Sequence, residues 1–274
     1  MKPPHNVTYL ERMLRRLVDS NENGVRLRTQ MANAIVGQFL DGAVMRGGGA
    51  LKMRYGNTAT RFTMDFDAAR NIASEEFEAR FTQRLKEGWN GFSGRLVEKP
   101  KARPRNVPAE YVMQPYEVKL TYRNHAWCTV ALEVSYDEIG DADECDLVEV
   151  DDGLKRVFLE LGFPAPAPVP LMRIAHQVAQ KLHGVTEPRS VRAQDLIDLQ
   201  LILSRENINY PEVKRICERL FSNRGTHAWP PELQASESMR VSYEIVKEGL
   251  DVLQSFDEAI VWANDLIARI NVAK

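Results

Sequence analysis

The stretch Arg61-Phe62-Thr63-Met64-Asp65-Phe66-Asp67 restricts the fold more than any other part of the chain. Phe62, Met64 and Phe66 alternate with Thr63, Asp65 and Asp67, and this period of two predicts a half-buried strand with both aspartates on one face. At about 3.3 Å of rise per residue, their backbones stand roughly 6 to 7 Å apart, so the carboxylates can converge on one or two cations. Two-metal sites hold ions about 3.5 to 4 Å apart and stabilise the attacking and leaving oxygens of a phosphoryl displacement. Oxygen ligands of this kind favour Mg2+ or Mn2+. Taken alone, an Asp-x-Asp pair also reads as a solvated strand edge.

Upstream lies Arg46-Gly47-Gly48-Gly49-Ala50-Leu51, preceded by the apolar Ala43-Val44-Met45 and followed by residues able to open a helix. The predicted order is strand, loop, helix. Successive glycines free the backbone for positive φ and let N–H groups approach a phosphate, to which a helix N-terminus adds favourable partial charge. The run matches neither GxGxxG nor GxxxxGK[ST], so a plain tight turn is an equal reading. Followed closely by the two aspartates, it points to a metal-nucleotide site.

Several further elements can be read. Thr8 and Glu11 form a capping-box pattern before a stripe of Leu10, Met13, Leu14, Leu17 and Val18, and a second helix is expected from about 26 to 40. Ser74 is positioned to cap a helix carrying Phe77, Phe81 and Leu85, and Leu96-Val97 suggests a strand. Strands are predicted at 116–122 and 127–135 around a turn at 123–125, with Glu133 on the face opposite Val130, Leu132 and Val134. The basic stretch from Lys99 through Lys101, Arg103 and Arg105 reads as a solvated loop or as a polyanion contact. The acidic run 137–152 reads as a solvated connection, since its spacing does not fit a calcium loop.

Pro164, Pro166, Pro168 and Pro170 mark a semi-rigid linker, after which the pattern becomes helical. Two domains are therefore expected, 1–168 and 169–274. In the second, a helix over 171–184 carries Ile174, Val178 and Leu182 on one stripe with Lys181 at its edge. Ser190 can begin the next helix, which bears Asp195 and Asp198 on one face. Pro211 and the Ser255/Glu258 capping box point to a helical bundle. His176 and His183 are not spaced as a zinc pair, so packing or surface roles are expected.

The 274 residues carry 36 Lys plus Arg against 38 Asp plus Glu, a net charge of −2 that excludes a globally basic nucleic-acid binder. Any RNA contact must use a local patch. The 44% hydrophobic content is that of a folded protein, and no apolar run is long enough to span a bilayer. The N-terminus lacks a signal-peptide core, and Cys128, Cys145 and Cys217 form no close pair, so a soluble protein of the cytoplasm is expected.

The segments GGGAL and RFTMDFD together resemble the signature of the nucleotidyltransferase superfamily. Ala179-Gln180-Lys181-Leu182-His183 and Arg192-Ala193-Gln194-Asp195-Leu196-Ile197-Asp198-Leu199 resemble the EKL and RDxxDL motifs of its AbiEii toxin branch, which includes the MenT toxins of type IV toxin–antitoxin systems. The likeness spans roughly residues 40 to 205. It implies an α+β (α/β) fold: a nucleotidyltransferase-like mixed sheet with flanking helices, then a helical-bundle domain completing an active-site cleft. It further implies a metal-dependent enzyme that transfers a nucleotide from an NTP to an RNA acceptor, the tRNA 3′ end, and so inhibits translation, restrained by an antitoxin encoded nearby.

By the same resemblance, Asp65, Asp67, Lys181 and Asp195 are the catalytic candidates. Gly47, Gly48, Gly49, Arg61 and Lys181 would hold nucleotide, and Asp65, Asp67 and Glu133 would hold metal. Asp198 is expected to be a structural partner of a cap or a basic residue. For Glu133, an ordinary outward strand glutamate is an equal reading; a lysine placed like Lys181 is ordinarily exposed and uncommitted. Two departures bear on substrate choice. Gly49-Ala50 stands where a hydroxyl residue is usual, and Gln194 replaces the arginine before the RDxxDL aspartate, a charge that Arg192 can supply. The alternatives are a transferase acting on a small antibiotic-type acceptor and a nucleotide-binding protein that acts through association without transfer.

Overall fold

The computed structural model describes residues 2–56, 59–102 and 112–274. The Arg103 to Arg105 end of the basic stretch lies outside them. The chain divides into two compact units, Met1–Asn57 with Phe62–Met172, and Thr58–Arg61 with Arg173–Lys274.

The first unit is built on a seven-stranded mixed sheet. Its strands are β1 (Ala43–Arg46), β2 (Phe66–Arg70), β3 (Phe92–Glu98), β4 (Gln114–Tyr122), β5 (His125–Tyr136), β6 (Cys145–Val148) and β7 (Val169–Met172), in the order β3-β4-β5-β2-β1-β7-β6. The pairs β1–β7 and β2–β5 are parallel, and the rest are antiparallel. The unit's helices are α1 (Val7–Arg16), α2 (Asn21–Gly37), α3 (Gly47–Tyr55), α4 (Ser74–Glu87) and α5 (Asp152–Glu160).

One face of the sheet is buried. Tyr116, Val118, Leu120 and Tyr122 of β4 and Val130, Leu132 and Val134 of β5 join Leu10, Leu14, Phe77, Phe81 and Phe158 in a single apolar core. Each such side chain contributes about 1.5 to 3 kcal/mol on burial, so the alternation along the strands fixes which face turns inward. The alternate residues, Glu117, Lys119, Thr129, Ala131 and Glu133 among them, are left half-buried or exposed.

The structure corrects several sequence expectations. The strand read over Phe62 to Asp67 begins only at Phe66; Phe62 and Met64 are exposed, at 37% and 59%. The reason lies in β1, which ends at Arg46 opposite Asp67 and turns into α3, so residues before Phe66 have no ladder on that side. The glycines expected in a loop form the first turn of α3. Asn6, not Thr8, caps α1, its Oδ1 accepting from the Tyr9 N–H at 2.8 Å. Helix α2 starts earlier than expected, at Asn21, because Ser20 accepts from the Asn23 N–H. Ser74 is the first residue of α4, whose cap position is Ala73. The β4–β5 turn is tighter, with Arg123 at φ +48° and Asn124 at φ +65°, the mirror-image geometry that suits a two-residue hairpin.

The acidic run is not merely a solvated connection. It contains β6, buries Asp141, and uses Asp151 to cap α5 and to accept from Gln30 at 3.1 Å. Residues 169–172, expected to open the helical part, form β7 inside the sheet, so the first helix beyond the prolines starts at Ile174.

The second unit consists of α6 (Ile174–Thr186), α7 (Ala193–Leu203), α8 (Tyr210–Arg224), α9 (Glu237–Val246) and α10 (Phe256–Val272). Helix α6 packs on α7 and α8, α9 on α7, and α10 on α8 and α9. Tyr210 and Pro211 open α8, and Ser255 caps α10 through the Glu258 N–H, as the sequence signals predict. His183 is buried with its ring nitrogens 3.2 Å from Arg224 and 3.1 Å from Thr226, a packing role.

Candidate active site

Three elements of the sheet unit bring the acids together. Strand β2 lies between β1 and β5, and Asp67 is in register with Arg46 on one side and Glu133 on the other. Adjacent strands are about 4.8 Å apart and residues in register share a face, so Asp67 and Glu133 rise side by side from the face of the sheet opposite the main core, just beyond a small apolar cluster of Val44, Ala69, Ala142 and Met172. Asp65 stands two residues before Asp67, just ahead of the strand, and is exposed.

The three carboxylates feel one another. Burial, then Asp67 and Asp65, raise the Glu133 carboxyl above the ordinary glutamate range, and Arg46 opposes the rise. Among the described residues, no three His, Cys, Asp or Glu side chains are gathered closely enough to hold a metal ion. The donor chemistry nevertheless fits a hard cation: oxygen ligands only, with a mutual repulsion that a divalent ion would relieve.

Gly47 opens α3 at φ +68°, a conformation L residues rarely adopt, and an added Cβ would lie 2.4 Å from Asp67 Oδ2. The first turn of α3 is therefore packed against the strand acid. At Gly49 a Cβ would meet Met45 Cε at 2.6 Å and the Asp65 carbonyl oxygen at 3.2 Å. Close approach to the acid demands glycine at 47, while at 49 the tightest contact is the end of the Met45 side chain. No side chain caps this helix, which leaves its first N–H groups suited to an anion.

Two cations here have no role in the sequence reading. The Arg46 guanidinium donates to Ser135 Oγ at 3.0 Å and sits near enough to Glu133 and Asp141 to favour their ionised forms. Burial nevertheless pushes the Asp141 carboxyl up to about 7. Lys52 of α3 is buried, donates to the Thr63 carbonyl oxygen at 3.5 Å and lies 4.7 Å from the centre of the Phe62 ring. A basic residue beside a glycine run was the available signal for Arg46; nothing in the local pattern marks Lys52, which reads as an ordinary helix lysine.

The other predicted residues form a separate charged centre in the helical unit. Lys181 on α6 is 5% exposed, with Nζ 2.6 Å from Asp198 Oδ2 and 3.3 Å from Asp195 Oδ1. Arg61 grips Asp198 bidentately, through Nε to Oδ1 and a terminal nitrogen to Oδ2, both at 3.0 Å. Arg192 Nε reaches Asp195 Oδ2 at 2.5 Å. Asp198 is thus a structural partner of basic residues, as expected. Burial pushes its carboxyl up, but Lys181 and Arg61 outweigh burial and hold it below the usual range. Gly184 lets α6 and α7 close on this network, since a Cβ there would fall 2.8 Å from Asp195 Oδ2.

A strand acid paired across a parallel ladder with a second acid, beside a glycine-led helix, is an arrangement able to hold a cation and a phosphate group. Residues 31–261 match the family described as Nucleotidyl transferase AbiEii toxin, Type IV TA system. The chain belongs to that family and is a nucleotidyltransferase toxin. Its fold is similar to that of MenT4, a nucleotidyltransferase toxin from Mycobacterium tuberculosis H37Rv, with a TM-score of 0.60 and 16% identity over 96% of this chain and 89% of the other. JHP933 from Helicobacter pylori gives a TM-score of 0.48 and 15% identity over 93% of this chain and 94% of its own. No curated sequence matches the chain. Membership in a type IV toxin family implies an NTP substrate and a cognate antitoxin. Among the described residues, no helix is long and apolar enough to cross a membrane.

Proposed function

We propose that the toxin transfers a nucleotidyl group from an NTP to the 3′ hydroxyl of tRNA, in a reaction dependent on Mg2+ or Mn2+, and thereby blocks translation in the cytoplasm. The observation that carries this reading is the register of Asp67 with Glu133 beneath the uncapped, glycine-led turn of α3. Asp65, Asp67 and Glu133 would hold the cation, which supplies charge neutralisation to the triphosphate when bound.

The N–H groups of Gly47, Gly48 and Gly49 take phosphate oxygens, backbone contacts replacing the missing hydroxyl. The acceptor oxygen attacks the α-phosphorus, the bond to the β-phosphate bridging oxygen breaks, and pyrophosphate leaves. Glu133, in register with Asp67, is placed to accept the proton of the attacking hydroxyl. Positioning and fixed charge supply most of the acceleration in such a transfer. In the helical unit, Lys181, held by Asp195 and Asp198, is the cation we assign to catalysis and nucleotide binding; Arg192 fixes Asp195 and Arg61 grips Asp198.

The three cysteines are free thiols, in keeping with a reducing compartment. Incubation with each α-labelled NTP, total tRNA and magnesium, followed by assay of aminoacylation, tests the proposal. Label at the tRNA 3′ end with loss of charging is expected; label on an aminoglycoside alone would replace tRNA with a small acceptor.

A further inference from the structure

The face of the sheet that carries the acids continues past them across β5, β4 and β3. Pairing in register places Pro115 beside Glu133, Glu117 beside Ala131 and Val97, Lys119 beside Thr129 and Arg95, and Thr121 beside Ser93 and Ala126. Three rows thus cross β3, β4 and β5, and a fourth crosses β4 and β5, on the side that carries Glu133 and, through β2, Asp67. Two rows beyond Glu133, roughly 13 Å along the strands, Arg95 and Lys119 border a pocket of about 400 Å³ whose floor includes Thr121, Ala126 and Thr129.

Charge on this face is uneven. Near the acids it is negative; at the far rows it is positive. Lys119 is 3.4 Å from Glu117, which also takes Lys99 at 3.0 Å. One carboxylate is therefore shared by two lysines, while Arg95 is exposed and has no hydrogen-bond or ion-pair partner among the described residues. Glu98 at the end of β3 alternates to the other side of the strand. The side chains between pocket and acids on β5, Thr129 and Ala131, are small.

We propose that this face seats the single-stranded end of the acceptor RNA, with Arg95 and Lys119 paired to backbone phosphates upstream of a 3′ hydroxyl delivered to Glu133 and Asp67. The inference rests on the RNA-acceptor reading above and deepens it by naming the surface that binds the polyanion. A chain with net charge −2 binds RNA only through a local patch, and this patch shares one continuous face with the reactive carboxylates. An acidic protein partner would find the same charge, but it gains nothing from continuity with the catalytic acids.

The test compares the full-length toxin with the double variant Arg95→Ala/Lys119→Ala. Arg95 is exposed and Lys119 half-buried on one face, and matched thermal melting verifies the fold. We expect KM for tRNA to rise at least about tenfold with kcat at saturating tRNA little changed. The slope of log affinity for RNA against log salt should become shallower by roughly 1.4, about 0.7 for each single-strand phosphate that the variant no longer neutralises. Binding of a fluorescent NTP should not move. Transfer to tRNA by the double variant with unaltered KM and salt slope would overturn the surface while leaving the acceptor reading intact. Wild-type toxin that binds NTP yet neither binds nor labels RNA would overturn both. Loss of antitoxin capture with tRNA kinetics unchanged would assign the patch to a protein partner instead.

Discussion

Gly47 is the residue on which the site's geometry turns. Its φ of +68° and the 2.4 Å separation between a built Cβ and Asp67 Oδ2 mean that any side chain must displace the acid or unwind the first turn of α3. Backbone strain of this kind costs about 1 to 3 kcal/mol. Gly47→Ala is therefore expected to lower the melting temperature modestly and nucleotide transfer severely, as read by differential scanning fluorimetry beside a label-incorporation assay. A mutant of normal activity would show that Asp67 does not need its place against the helix. The glycine run and the Asp-x-Asp pair were legible from sequence because each obeys a local rule. The contacts of Arg46 and Lys52 were not, since they depend on partners 89 and 11 residues away in the chain.

Among the elements, β2 shows why a pattern can name the right residues and misplace the strand. Alternation over Phe62, Met64 and Phe66 satisfies a period of two, but a strand needs ladders, and β1 ends where Asp67 pairs. In the same way, the prolines at 164–170 read as a boundary, although β7 needs only residues 169–172 to pair with β1 and β6. Helices α6 and α7 illustrate the opposite error. Lys181 looks like an edge lysine on its helical stripe, yet folding buries it between two carboxylates on α7. Breaking such a buried pair costs about 3 to 5 kcal/mol, and the lower end applies because Arg61 and Arg192 remain. Lys181→Met should accordingly show a destabilised transition in calorimetry as well as abolished activity. Unchanged unfolding would mean that the lysine is not held by Asp195 and Asp198.

For the whole molecule, the clustered acids set a pH dependence. The Glu133 carboxyl is raised in the fold, so its contribution to stability is fully present below the ordinary glutamate pKa and is lost as pH rises through the raised value. A divalent cation that offsets the repulsion should therefore stabilise the protein more at pH 8 than at pH 5. At about a hundredfold excess over Kd the gain is about 2.7 kcal/mol, or roughly 5 to 10 °C in Tm. Asp67→Asn should lose most of that shift. An equal shift in the variant would move the cation elsewhere.

We propose that Asp67 and Glu133 on the sheet, with Asp65 just ahead of β2, carry nucleotide transfer to RNA. It is tested most directly by incubating wild type and Asp67→Asn with α-labelled NTPs, magnesium and total tRNA, and resolving the products by size. Labelled tRNA from the wild type and at least about a thousandfold less from the variant, with the variant still folded, is the predicted result. Equal labelling by the two proteins, or wild-type label on no RNA at all, would contradict it.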